Sequence, residues 1–222
     1  MQASEEPQAA SPPSLSASAY EYLLLLLRSG HLGTGERLVE AEIASQLGVS
    51  RVPVRQALLQ LVAEGYLVST PRGYRVPELS VQDIQDVFEL RLLLEPRAAG
   101  LAARDITKAQ VRELEFAIAD AATAHASGDA ARFFEAVQRF RGTWLGAVRN
   151  SRLAASITRY ADQVLLVRRA TLAGPERQRS VLAFYEQLRA AFARHDSVAA
   201  SDVAVRLVLA AERDFAESSA RQ

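Results

Sequence analysis

Ala41-Glu42-Ile43-Ala44-Ser45-Gln46-Leu47-Gly48-Val49-Ser50-Arg51-Val52-Pro53-Val54-Arg55-Gln56-Ala57-Leu58-Leu59-Gln60-Leu61 is the stretch on which the reading of this chain turns. Val39, Ile43 and Leu47 recur at the i, i+4, i+8 spacing of a short helix, and Gly48 stops it. Ser50 then caps a second helix. Pro53 is tolerated in its first turn, where N–H groups lack intrahelical partners. Val54, Leu58 and Leu61 line one face of that helix, which Gly65 closes. The pattern predicts two helices joined by a tight turn.

Upstream, Tyr20 to Ser29 reads as an apolar helix ended by Gly30, with a turn at Gly33-Thr34-Gly35. Downstream, Tyr66-Leu67-Val68-Ser69 and Gly73-Tyr74-Arg75-Val76 are β-prone runs around Pro71-Arg72-Gly73, a hairpin signature. Helix, short helix, turn, helix and hairpin is the order of a winged helix-turn-helix. In that arrangement the last helix enters the major groove of DNA and reaches base edges with its N-terminal residues. That helix carries Arg51 and Arg55, four apart and so on one face. Arginine matches the O6/N7 acceptor pair of guanine bidentately. The wing adds Arg72 and Arg75. Between residues 44 and 75 these four cations face only Glu64, a local excess of three positive charges.

That patch is hidden in the whole, where Lys+Arg and Asp+Glu are both 26 and the net charge is zero. The balance excludes a polycation or an acidic tail. Zero Cys excludes disulfides, thiolate metal sites and cysteine nucleophiles. Hydrophobic residues make up 49 %, enough for packed cores in 222 residues. The longest strongly apolar run, Leu23 to Leu27, falls far short of the roughly 20 residues of a bilayer span. Residues 1–14, rich in Ser, Pro, Ala and Gln, have no basic start and no apolar core, so they read as a flexible tail of a cytoplasmic protein.

Past Pro77-Glu78-Leu79-Ser80 the pattern changes from short, punctuated segments to long helical periods, with Ser80 placed to cap the first. Helices are predicted near 80–104, 107–127, 129–148, 151–173, 177–195 and 197–218. Short connections make neighbours antiparallel. The expected fold is mainly α. A tail (1–14) precedes a winged helix-turn-helix DNA-binding domain (15–78) and an all-α six- or seven-helix bundle (79–222) for effector binding and dimerisation. Asp83 with Asp86 and Asp214 near Glu217 sit at helix ends or on solvated faces. No Gly-rich phosphate loop or Ser–His–Asp set occurs, so no catalytic residues are assigned.

The stretch 41–61, with Glu64-Gly65 and Arg72-Gly73-Tyr74, resembles the GntR family of bacterial transcription regulators. The resemblance implies DNA-contacting roles for Arg51, Arg55, Arg72 and Gly73. With their neighbours on the helix start and the wing, the candidate DNA-binding set is Ser50, Arg51, Pro53, Arg55, Gln56, Arg72, Gly73 and Arg75. Some members carry an Arg in the helix before the turn where this chain has Ala41, so one of their base contacts is missing here.

Asp83-Ile84-Gln85-Asp86-Val87-Phe88-Glu89-Leu90-Arg91, continuing through Leu94-Glu95-Pro96-Arg97-Ala98-Ala99 to Leu101-Ala102-Ala103, resembles the opening of the FadR-type (FCD) effector domain of that family. The resemblance implies a helical bundle around a ligand pocket, with a divalent metal in many members. It puts Val137, Arg141, Tyr185 and Leu207 where those members carry an Asp and three His. Valine and leucine offer no donor, Arg stays protonated and a lone Tyr is a poor site, so neither metal nor cofactor is expected. His31, His125 and His195 are isolated and read as structural or surface residues.

Helical periodicity turns these positions inward: Phe133, Val137, Phe140, Arg141, Trp144 and Val148 form one stripe, Val181, Tyr185, Leu188 and Phe192 another, Val203, Leu207 and Ala211 a third. A buried guanidinium must meet a carboxylate, from a side chain or a ligand. Arg91 and Glu95, four apart on the first bundle helix, are expected to pair with each other or with a neighbour. The candidate effector set is Arg91, Val137, Arg141, Trp144, Tyr185 and Leu207, receiving a small acid at Arg141. The competing expectation has Arg141 snorkel to the bundle edge and Tyr185 serve as plain core. Function is then a ligand-responsive, homodimeric regulator of a double-stranded operator, repression being the expected sign. The alternatives are a constitutive dimeric DNA binder with a vestigial pocket, or an enzyme whose catalytic set is not in evidence.

Overall fold

A computed structural model describes residues 14–164, 172 and 174–219. The chain divides into two compact units, Met1–Glu78 and Leu79–Gln222. The segment read as a flexible tail lies, but for Ser14, outside the described residues. Among those described, no helix is long and apolar enough to cross a membrane.

The first unit holds α1 (Leu15–Ser29), β1 (Arg37–Leu38), α2 (Glu40–Leu47), α3 (Arg51–Ala63), β2 (Val68–Thr70) and β3 (Gly73–Arg75). Gly30 and Gly48 end α1 and α2 in the left-handed conformation, as their positions predict. Leu23, Leu24, Ile43, Val54, Leu58 and Leu61 form a shared core under the small sheet. The predicted hairpin is present as β2 and β3. A third strand joins them: β1 pairs antiparallel with β3, Arg37 opposite Arg75 and Leu38 opposite Tyr74. Two residues leave no periodicity to detect, which is why this strand escapes sequence reading. It also explains Gly73, whose φ is +121° and whose missing Cβ would lie 2.6 Å from the Leu38 carbonyl oxygen.

The second unit has six helices among the described residues: α4 (Val81–Asp105), α5 (Lys108–Ser127), α6 (Ala130–Leu145), α7 (Ser151–Gln163), α8 (Pro175–Ala193) and α9 (Ser197–Ser219). Ser80 with Asp83 and Thr107 with Gln110 form reciprocal capping boxes on α4 and α5. Helix α6 stops at Leu145, three residues before its predicted end. Ala147 and Val148 stay buried in tight turns beyond it, so the apolar pattern outlives the helix. The described part of the predicted 151–173 helix ends at Gln163; residues 165–171 and 173 of that prediction lie outside the described residues. Helix α8 starts two residues early because Pro175 fits its first turn.

The main core, with Phe133, Phe140, Leu188 and Phe192, continues into a smaller cluster of Ile84, Val87, Phe88, Val164, Val208 and Phe215. Helices α4 and α9 pack closely at Gly100. A Cβ there would meet Ser201 Oγ at 2.5 Å and the Ser197 carbonyl oxygen at 3.1 Å, while Ser201 Oγ donates to the Pro96 carbonyl at 2.8 Å. Gly100→Ala is therefore expected to destabilise the bundle by about 1–2 kcal/mol, overpacking outweighing the gain in helix propensity. Adding Ser201→Ala should restore part of that loss, as read by urea unfolding of the bundle.

Candidate functional site

The exposed face of α3 presents Arg51, Val52, Arg55, Gln56 and Leu59, because Pro53, Val54, Ala57 and Leu58 turn inward. Ser50 occupies the N-cap position without a side-chain capping bond, so its hydroxyl stays available beside Arg51. Pro53, expected among the contacting residues, is buried in the first turn of α3, so little of its ring faces outward with Arg51 and Arg55. Arg72 and Arg75 are exposed on the wing, flanking Gly73. Arg75 lies 3.7 Å from Glu78, a loose surface pair.

Three residues of this surface are missing from the sequence reading. Arg37 comes to the wing on β1 and donates from Nε to the Arg72 carbonyl at 2.8 Å. Val52, 65 % exposed beside Arg51, adds a hydrocarbon side chain to the same outward face. Glu40, first residue of α2, takes both Arg55 Nε and Nη2 at 2.9 Å and the Tyr74 hydroxyl at 3.2 Å. The Arg55 fork holds the Glu40 carboxyl below its ordinary range, against the opposing effect of burial, with Tyr74 adding to it. Arg55 is thus a paired cation, and the local excess charge is smaller than the count over residues 44–75 suggests.

In the bundle, a cavity of about 60 Å³ opens between the two apolar clusters. Val137, Arg141, Tyr185 and Leu207, dispersed over α6, α8 and α9, all line it, together with Arg91 of α4. Trp144 does not: its ring lies 6.2 Å from Phe192 in the main core. An inward stripe identifies core positions but not which of them border a void. Phe88, Phe184, Ser180 and the Arg177–Asp214 ion pair, none of them assigned to the pocket from sequence, also line it.

The cavity wall is charged. Glu95, 2 % exposed, accepts Arg91 Nε at 2.7 Å, Arg141 Nη2 at 2.9 Å and Arg141 Nη1 at 3.1 Å. Arg91 and Arg141 are themselves only 5 % and 8 % exposed, which rules out snorkelling of Arg141 to the bundle edge. The three groups sum to one positive charge. Arg91 Nη1 and Arg141 Nε have no hydrogen-bond partner among the described residues. Burial alone would push the Glu95 carboxyl up, but the guanidiniums of Arg141 and Arg91 outweigh it and hold the group far below the glutamate range. Burial opposes the Arg141 charge too, and Glu95 more than offsets it, raising its pKa. The guanidinium of Arg91 also lies 5.1 Å from the Phe88 ring centre, and Tyr185 stacks on Phe140 at 3.8 Å.

These residues do not fit a divalent cation. Two of the four positions that the family resemblance assigns to ligands are hydrocarbon, one is a phenol, and the fourth is a guanidinium already bound to the nearest carboxylate. Among the described residues no three His, Cys, Asp or Glu side chains come together. The histidines are engaged elsewhere: His31 with Ser29, His125 with Gln178 and His195 with the Ala103 carbonyl.

Glu95→Ala leaves two buried cations without a counter-charge, and the expected cost to bundle stability is about 3–5 kcal/mol by urea unfolding. Arg141→Ala, which leaves the neutral Arg91–Glu95 pair, should cost less. Because the Glu95 pKa is depressed on folding, its contribution is present above its ordinary value of 4.5 and disappears only as pH falls toward the lower folded value. The difference between wild type and Glu95→Gln should therefore persist from neutral pH down to about 4.5.

Two family models match the chain: the gntR family of bacterial regulatory proteins over residues 15–74 and the FCD domain over residues 86–210. An uncharacterised HTH-type transcriptional regulator of Mycobacterium tuberculosis is 34 % identical over 181 residues, 81 % of this chain and 72 % of its own length. The Nta operon transcriptional regulator of Aminobacter aminovorans is 40 % identical over 87 residues, where the match spans 39 % of this chain and 41 % of that protein. The solved structure of E. coli McbR/YncC superposes with a TM-score of 0.80 at 24 % identity, covering 94 % of this chain and all of that one. With its helix-turn-helix unit and its helical second unit both matched, the chain belongs to the GntR family of bacterial transcription regulators, in the group that carries an FCD domain.

Proposed function

We propose that the protein is a cytoplasmic, ligand-responsive repressor that binds a pseudo-palindromic operator as a homodimer. The observation that carries the DNA-binding part is the outward face of α3, where Arg51, Arg55 and Gln56 stand together clear of the core. A helix so exposed enters the major groove, while Arg37, Arg72 and Arg75 on the wing reach phosphates or the adjacent minor groove. Two-fold symmetry would place half-sites about one helical turn apart.

The effector assigned to the bundle is a small acid, bound without a metal. Its support is the pair of orphaned, buried N–H groups on Arg91 and Arg141 beside an otherwise mostly apolar cavity. An unsatisfied buried donor is costly, and a carboxylate oxygen relieves it. The excess positive charge of the triad favours a monoanion, and the mostly apolar lining favours one with a hydrocarbon part. Coupling to DNA then equals the effector's differential affinity for the free and DNA-bound forms. A second reading, a constitutive dimeric binder, draws on Glu95, which already supplies Arg141 with a counter-ion.

Gel-shift titration on the promoter beside the coding region tests the first part. Arg51→Ala with Arg55→Ala should weaken binding by about 30-fold or more, since each bidentate contact contributes about 1–3 kcal/mol. A chain whose arginines are mere solvated charges would lose nothing. For the effector, calorimetry with short monocarboxylates should give binding that Arg141→Ala weakens at least tenfold. No heat with any acid, or equal affinity in the variant, favours the constitutive reading.

A further inference from the structure

The Glu40–Arg55–Tyr74 cluster is explained neither by core packing nor by the arginine count of the DNA-facing surface. Glu40 opens α2, Arg55 lies in the second turn of α3, and Tyr74 stands in the middle of β3. The carboxylate is held from two sides. Arg55 donates from Nε to Oε1 at 2.9 Å and to Oε2 at 3.1 Å, and from Nη2 to Oε2 at 2.9 Å. The largely buried Tyr74 donates its hydroxyl to Oε1 at 3.2 Å. The Glu40 side chain is 19 % exposed while that of Arg55 is 61 % exposed, so the acid sits beneath the cation.

A guanidinium has two edges that can form a fork. Glu40 occupies the one made by Nε and Nη2, leaving the end made by Nη1 and the outer Nη2 hydrogen. That free end matches the O6/N7 acceptors of guanine. An unbuttressed arginine at an exposed helix position loses rotamer entropy when it docks and can settle on a phosphate instead. One already clamped along its side loses less and has a fixed aim. The pair is too exposed to add much stability, which leaves orientation as its main effect.

We infer that Glu40 is a positioning residue that aims Arg55 at a guanine and so sets sequence specificity at that base pair, with Tyr74 fixing Glu40 in turn. The inference rests on the DNA-binding reading above. A carboxylate near the phosphates also repels DNA of any sequence, so the cluster exchanges non-specific affinity for discrimination.

The test uses the full chain and a duplex that it selects from a randomised library, with each guanine of the half-site then replaced in turn. Fluorescence anisotropy compares wild type with Glu40→Gln, Glu40→Ala, Tyr74→Phe and Arg55→Ala. The expected result is that both Glu40 variants lose discrimination at one guanine by about tenfold or more, at the same position as Arg55→Ala. Affinity for random duplex should rise in the Glu40 variants, and Tyr74→Phe should show a smaller loss at that guanine. Retained discrimination at every guanine in Glu40→Gln, whatever happens to its melting temperature, overturns the inference. So does an equal change for selected and random duplexes. If the wild type selects no duplex, DNA binding itself has failed, a result distinct from either outcome for Glu40.

Discussion

Two guanidiniums share one carboxylate inside the helical bundle, and the arrangement around the cavity follows from that. An unpaired charge at such a position would cost several kcal/mol. Arg141 of α6 and Arg91 of α4 must therefore both reach Glu95, and the two helices are held in the register that lets them. The same stretch of α4 joins the main core to the smaller cluster through Phe88, whose ring sits under Arg91 and 6.1 Å from Phe215. One carboxylate cannot fill every donor on two guanidiniums, so Arg91 Nη1 and Arg141 Nε are left over beside the cavity. The cavity's chemistry is the remainder of a packing requirement: one positive charge and two nitrogens whose N–H donors are unused among the described residues.

The helix-turn-helix unit uses the same pairing of Arg and Glu at its surface, with a different physical consequence. Glu95 stabilises because it compensates charges that have lost their water; Glu40 stands in partial contact with water, where ion pairs contribute little. What the exposed pair provides is geometry. It ties α2, α3 and β3 at one carboxylate and limits the directions in which Arg55 can extend. The buried pair leaves positive charge at a cavity; the exposed one leaves a side chain with a restricted direction.

The chemistry of the bundle cavity is set by what stands at the positions that the resemblance assigns to metal ligands. Val137, Arg141, Tyr185 and Leu207 do meet around one cavity, where none but the phenol of Tyr185 could offer a metal a donor. A guanidinium in place of a metal ion keeps a positive charge at the site but changes its reach. It acts through directed hydrogen bonds, not through an open coordination sphere, and it needs its own counter-ion inside the fold. Glu95 meets that need from a neighbouring helix.

Much of the architecture is local and therefore readable in one dimension. Gly30, Gly48, Ser80 and Thr107 end or begin helices through the φ angles and hydrogen bonds of their own neighbourhoods. Arg51 and Arg55 share a face because four residues make about one turn. Apolar periodicity turned Val137, Arg141, Tyr185 and Leu207 inward in the same way. It failed where burial and helix part company, as at Ala147 and Val148, and where a strand of two residues, Arg37–Leu38, has no period to show. It also treated Trp144 as pocket wall, since a stripe says that a side chain points inward or outward, not what it meets there. Partners far apart along the chain were beyond it altogether. Arg141 lies 46 residues from Glu95, and Tyr74 lies 34 from Glu40. Those meetings come from how helices cross and strands pair, where the energy of desolvating a charge selects among packings that the linear pattern leaves equal.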